Sequence, residues 1–179
     1  MKKNLIIPCI MAISMTVLFS MLSEGLSLIV TFVPAIPISL WFYYKTCYKH
    51  LPASGQIIVL YLLGLGFQLL HFAEEHAFGF DKKFGLLFHG HPYNHNLFVT
   101  FNMCAYFLFI LGAIGFLNSI RPLMFIGIFF IVYGMLGNAV GHVAFCLAAH
   151  GYFPGIYTCF LNVIPGVMLL KRLNGANGR

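Results

Sequence analysis

The chain reads as all-α, a polytopic membrane helical bundle of about six transmembrane helices with both termini cytoplasmic. Its composition points there first: 60% of the residues are apolar and 8% are charged, far from the roughly one-quarter charged make-up of soluble domains. Its apolar residues also fall in runs of about 20, the length a helix needs to cross a hydrocarbon layer about 30 Å thick. Finally, Lys and Arg segregate between alternate connections, which fixes an orientation.

The runs lie at 5–22, 26–44, 56–75, 97–117, 123–147 and 156–170. The first follows Lys2 and Lys3 as a signal peptide would, yet it is longer than a usual h-region. Met21 and Ser23 make a poor cleavage site, so a retained anchor is expected. The sixth run is the shortest. With the N-terminus inside, Lys2, Lys3, Lys45, Lys49, Arg121, Lys171, Arg172 and Arg179 are internal, whereas only Lys82 and Lys83 are external. The +6 charge is therefore topological and gives no reason to expect nucleic acid as a partner. The partners expected are the lipid bilayer and a lipid-soluble or membrane-attached substrate. The localisation expected is integral and multi-pass, in the plasma (inner) membrane, with the site facing outward.

Cys9, Cys104, Cys146 and Cys159 fall in the runs and Cys47 in an inner loop, with no pair available for an external bridge and no zinc-ribbon or CxxC spacing. There is no P-loop, dinucleotide fingerprint, GxSxG or HExxH, so ATP hydrolysis, Rossmann redox chemistry and serine hydrolysis are disfavoured. No repeat or linker divides residues 1–179, which read as a single transmembrane domain.

Polar residues gather at one side. His71, His76, His89, His91, His95, His142 and His150, with the acids Glu74, Glu75 and Asp81, fall in the outer half or outer loops. Counting at about 1.5 Å per residue puts His71, Asn102 and Asn138 at one level, about 21–22 Å from the inner end of their runs. In "LLHFAEEHAFGF" His71 has Glu74 at i+3 and Glu75 at i+4, and in "GNAVGHVAF" Asn138 and His142 form another i, i+4 pair. Gly137 and Gly141 beside that pair suggest close approach of another helix. Ionisable groups at such depth cost roughly 2.5–3.5 kcal/mol each, so the two carboxylates need a wet cavity, a counter-charge or a metal.

"HFAEE", "NAVGH" and "YFPGIYT" in this order resemble the small integral membrane proteins named for their HXXEE motif, over about 56–170. The resemblance implies a multi-helix membrane domain and an enzymatic site, with no established reaction. In the last of these segments Pro154 and Gly155 can turn the chain and start the sixth helix, whose free N–H groups could hold an anion or a polar headgroup.

Two arrangements fit the polar level. In one, His71, Glu75 and His142 bind Zn or Fe as a divalent ion, and Glu74 is the general base toward a metal-bound water. In the other, without metal, a glutamate activates water while His142 and Asn138 hold the oxyanion. That second arrangement is similar to the CAAX-type intramembrane endopeptidases, although Gly79 stands where they carry Arg. The candidate catalytic residues are Glu74, Glu75, His142, Asn138 and Asn102; the candidate metal ligands are His71, Glu75 and His142. The expected activity is a membrane-embedded hydrolase. A small proton or metal-ion transporter or binding subunit is the alternative, against which the inner halves of the runs offer little beyond Gln56 and Gln68 to continue a path. His89, His91 and His95, on a turn with Gly90 and Pro92, read as a solvated loop or a lid rather than a metal site. His50 and His150 read as interfacial.

Overall fold

The computed structural model describes residues 3–175. Five of its helical stretches are long and apolar enough to cross a membrane: Lys3–Leu22, Ser27–Tyr48, Ile57–Ala77, His95–Leu117 and Arg121–Ala148. Their outer faces carry exposed Ile10, Ile13, Val59, Leu70, Phe107 and Val140, as lipid-facing surfaces require.

Local chemistry sets the helix ends. The first span is a single helix, α1 (Lys3–Leu22); the second is assembled from α2 (Ser27–Thr31), α3 (Ala35–Tyr43) and a π-helical turn at Tyr44–Tyr48. The third, α4 (Ser54–Ala77), stops because Gly79 adopts φ 72°, the left-handed conformation that closes a helix C-terminus. A lid follows, made of α5 (Phe80–Lys83), a 3-10 turn at Gly85–Phe88 and the stretch to Asn94. Asn94 then caps α6 (His95–Leu117) by accepting from the Leu97 N–H at 3.2 Å. Pro122 sits in the first turn of α7 (Arg121–Phe129), where its missing N–H is harmless. A π-helical stretch, Phe130–Gly137, joins α7 to α8 (Asn138–Ala148), and together they make the fifth and most buried span. Met124, Phe125, Ile128, Phe130, Ile131 and Met135 in it are fully buried, so this span is the axis of the bundle.

Where α6 meets α7, a Cβ on Gly112 would lie 2.7 Å from the Gly127 backbone and 2.7 Å from the Tyr61 hydroxyl. This is the glycine-mediated helix contact of the bundle. Gly137 and Gly141 behave otherwise than expected: a Cβ on Gly137 would meet only its own helix, and one on Gly141 would meet only the Phe145 ring at 3.4 Å.

The sixth expected span is not one continuous helix. Residues 152–158 turn, Cys159–Asn162 form a 3-10 turn, and α9 (Val163–Gly175) is 13 residues long. Non-helical backbone at this depth is tolerated because it is covered by protein, with Phe153, Pro154, Gly155 and Cys159 all buried. α9 packs on α4 and on the π-helical stretch of the fifth span, and reaches the turn at Tyr44–Tyr48. Tyr43 donates to the Asn4 carbonyl, so both ends of the described chain lie at one end of the bundle. The Lys2 and Arg179 positions fall outside the described residues.

At the opposite end the turn between the first two spans is stitched to the lid. Gly25, at φ 60°, has no room for a side chain because Phe88 O and Gly90 N crowd it. Leu26 N–H donates to Phe88 O at 3.3 Å, and Glu24 N–H donates to the Tyr93 hydroxyl at 2.9 Å. The cysteines are free, and Cys47 is buried within the second span.

Candidate metal and catalytic site

His71 and Glu75 sit four residues apart on one face of α4, and the fifth span brings His142 against them. Oε1 of Glu75 is 3.4 Å from Nε2 of His71 and 3.3 Å from Nε2 of His142. The two imidazoles cross at 88° with centroids 4.6 Å apart. Among the described residues these three form one group whose ligand atoms all lie within 4.8 Å of one another, and all three are buried. Gly155 makes the assembly possible: at φ 98° it lies flat on both rings, and a Cβ there would strike the His142 ring and stand 2.8 Å from Cε1 of His71.

Glu74 is engaged elsewhere. Oε1 accepts from the Tyr152 hydroxyl at 3.0 Å, Gly155 N–H at 3.1 Å and Tyr157 N–H at 3.3 Å, and Oε2 accepts from Thr158 N–H at 2.9 Å and its hydroxyl at 2.6 Å. The N–H groups expected to hold an anion near Pro154 and Gly155 therefore hold one from the chain itself. Burial, and then the bond to Glu74, push the Tyr152 phenol above its ordinary pKa, which keeps it a donor.

Thr158 links Glu74 to His71. Its hydrogen goes to Glu74, so its oxygen must accept from Nδ1–H of His71, 3.1 Å away. Nδ1 of His71 is thereby engaged, and Nε2 is the ring nitrogen that faces Glu75. The same nitrogen makes no hydrogen bond, and neither does Nδ1 of His142.

Glu75 and His142 open onto a cavity of about 90 Å³ between α4, α6, the fifth span and the lid. Its walls are aromatic, with Phe80, Phe84, Phe98 and Phe145 prominent, while Gln68, Asn102 and Asn138 add polar points. The matched level read from residue counts thus becomes a shared cavity. Asn102 and Asn138 line it without touching the His/Glu cluster, and the Asn102 amide donates to Phe98 O at 2.9 Å. Glu74 is not among the lining residues.

The lid histidines stay apart from the cluster. His95 contacts Asp81 at 2.9 Å, His91 N–H meets Glu24 Oε2 at 3.4 Å, and His89 is exposed at φ 60°. His50 and His150 are exposed. Sequence reasoning placed none of Thr158, Gly155 and Tyr152 in the catalytic or metal site and read Gly155 only as part of the turn that starts the sixth helix; their signal was the "YFPGIYT" segment itself. It also missed Asn162, whose amide donates to Gln68 Oε1 at 3.1 Å beneath the cluster.

A membrane helical bundle with a buried His/Glu/His cluster is the class that fold and site define. The family described as "Protein of unknown function with HXXEE motif" matches residues 61–170, and the chain belongs to it. Its motif is His71, Glu74 and Glu75. No curated protein and no solved structure matches the chain.

Proposed function

We propose that the protein is a membrane-embedded, metal-dependent hydrolase acting on a lipid-soluble or membrane-attached substrate. The observation that carries the reading is the pair of contacts at Glu75. Two ligand atoms on a tetrahedral ion with bonds of about 2.0–2.1 Å stand about 3.3–3.4 Å apart, and the separations at Glu75 Oε1 are 3.4 and 3.3 Å. The Thr158 contact supports it further, since it occupies Nδ1 of His71 and leaves Nε2, the nitrogen beside Glu75, as the one that can coordinate. Two imidazoles and one carboxylate suit Zn²⁺ or Fe²⁺, and two of the three, Glu75 and His142, also line the cavity.

A bound divalent ion would supply a hydroxide near neutral pH, because it lowers the pKa of its water to about 7. A separate base is then dispensable, which agrees with the engagement of Glu74 by the last segment. We assign Glu74 as a positioning residue that holds Thr158, and through it His71. Glu75 and His142 would hold the ion at the cavity wall, and the amides of Asn138 and Asn102, which line the same cavity, would be the donors available to a polar substrate group there. The Lys and Arg bias supports placing the lid and the 149–158 turn outside and residues 44–48 inside, in a plasma membrane.

The test is metal content together with activity. Purified protein with His89, His91 and His95 replaced should hold close to one equivalent of Zn or Fe per chain, and adding His142→Ala should remove it. A metal-free preparation that is fully active would reject the reading in favour of a glutamate-activated water.

A further inference from the structure

Beside the cavity, a groove of about 680 Å³ runs between the second span and the second half of the fifth. We infer that this groove seats the hydrocarbon chain of the substrate, so that the site takes a membrane amphiphile sideways from the bilayer with only its reacting head inside the cavity. The inference rests on the hydrolase reading and names the substrate class for the same site.

Size is the first argument. Sites for small molecules run to about 300–1,000 Å³, whereas the cavity at Glu75 and His142 is about 90 Å³. It accommodates a head group and a few waters, and the rest of a substrate needs other space. The groove has that space and shares a wall with the cavity, since Tyr133, Asn138 and Phe145 line both.

Chemistry is the second. Val30, Pro34, Ile38, Leu136, Val140 and Ala144 make the groove apolar. It is cut into two spans, so hydrocarbon surrounds it and a chain can slide in without crossing water. The small residues of α8 are the third argument. Gly141 approaches no other helix, and the absence of a side chain there and at Gly137, with only methyl groups at Ala144 and Ala148, leaves the groove open. At the shared wall the Asn138 amide is the polar point, placed where a carbonyl between chain and head would pass.

The experiment uses the full-length protein in phosphatidylcholine vesicles containing a phosphatidylcholine with a photoactivatable diazirine in its acyl chain. Labelled peptides are mapped by mass spectrometry, and metal is measured on the same samples. Label should concentrate on residues 30–38 and 136–148 above the lipid-facing side of α1. Gly141→Leu and Ala144→Phe should each lower it there about tenfold, by filling space that methylenes would occupy. Ala144 is exposed, and a Cβ on Gly141 makes only an ordinary contact with the Phe145 ring, so folding and metal content should hold. Label no denser in the groove than on α1, or unchanged in both variants, would overturn the inference. Loss of metal binding with labelling intact would sink the metal reading and leave the groove standing.

Discussion

The Thr158 hydroxyl lies 3.1 Å from Nδ1 of His71, and its own hydrogen is already given to Glu74. A residue 87 positions away on the last segment thus decides which nitrogen of His71 is free. Outer partners of this kind hold a ligand's ring and raise its basicity.

Thr158→Val should therefore weaken Zn²⁺ binding by about 10–100-fold, the usual effect of losing such a partner. Thr158→Ser, which keeps the hydroxyl, should restore it to within a few-fold. Chelator competition on the purified protein measures both. Equal affinity for valine and wild type would remove Thr158 from the site.

The two adjacent glutamates should separate by readout. Glu74→Ala strips five donors of their acceptor and should lower stability by about 3 kcal/mol or more, seen as a fall in Tm. Glu75→Gln should leave Tm closer to wild type and abolish metal binding and turnover. A Tm unchanged by Glu74→Ala would contradict its role in anchoring the 152–158 turn.

His142→Ala should likewise abolish activity while membrane insertion and expression stay near wild type. His50→Ala and His150→Ala, both at exposed positions, should be silent. Full activity in both Glu75→Gln and His142→Ala would move the chemistry elsewhere.

Topology can be read by thiol labelling in intact cells. In a background without native cysteines, a cysteine replacing His89 should react with an impermeant reagent and one replacing Lys49 should not. The reverse pattern would turn the site toward the cytoplasm.

Gly112→Leu should destabilise the bundle by about 1–3 kcal/mol or more through overpacking, because its Cβ has Gly127 and Tyr61 at 2.7 Å. Gly66→Leu has open space around it and should not. Thermal unfolding in detergent distinguishes the two.

Much of this was legible in the sequence. The first five apolar runs end within a few residues of the observed helices, because hydrocarbon thickness fixes their length. The i, i+4 spacing of His71 and Glu75 put two members of the cluster on one face, and α8 is regular enough for Asn138 and His142 to share another. What failed was whatever depends on contacts between segments. The 156–170 run is as apolar as a helix needs, yet Glu74 captures its N–H groups and bends it into turns before α9. Adjacent Glu74 and Glu75 look interchangeable until that turn claims one of them. The π-helical stretch at Phe130–Gly137 adds residues to its turns that no 3.6-residue period reveals, although such stretches gather at functional sites. Gly137 and Gly141 fit a helix-contact pattern, but what they border is a groove; Gly112 and Gly127 perform the contact.

The stitch between Gly25 and the lid bears on biosynthesis. The turn at residues 23–26 leaves the ribosome long before Phe88 and Gly90 exist to receive it, and Thr158 is made later still. A nascent chain stalled after its fourth span would carry His71 and Glu75 but neither the His142 imidazole nor the hydroxyl that orients His71. The His/Glu/His cluster is therefore completed only by the fifth span, and the hydroxyl that orients it arrives last.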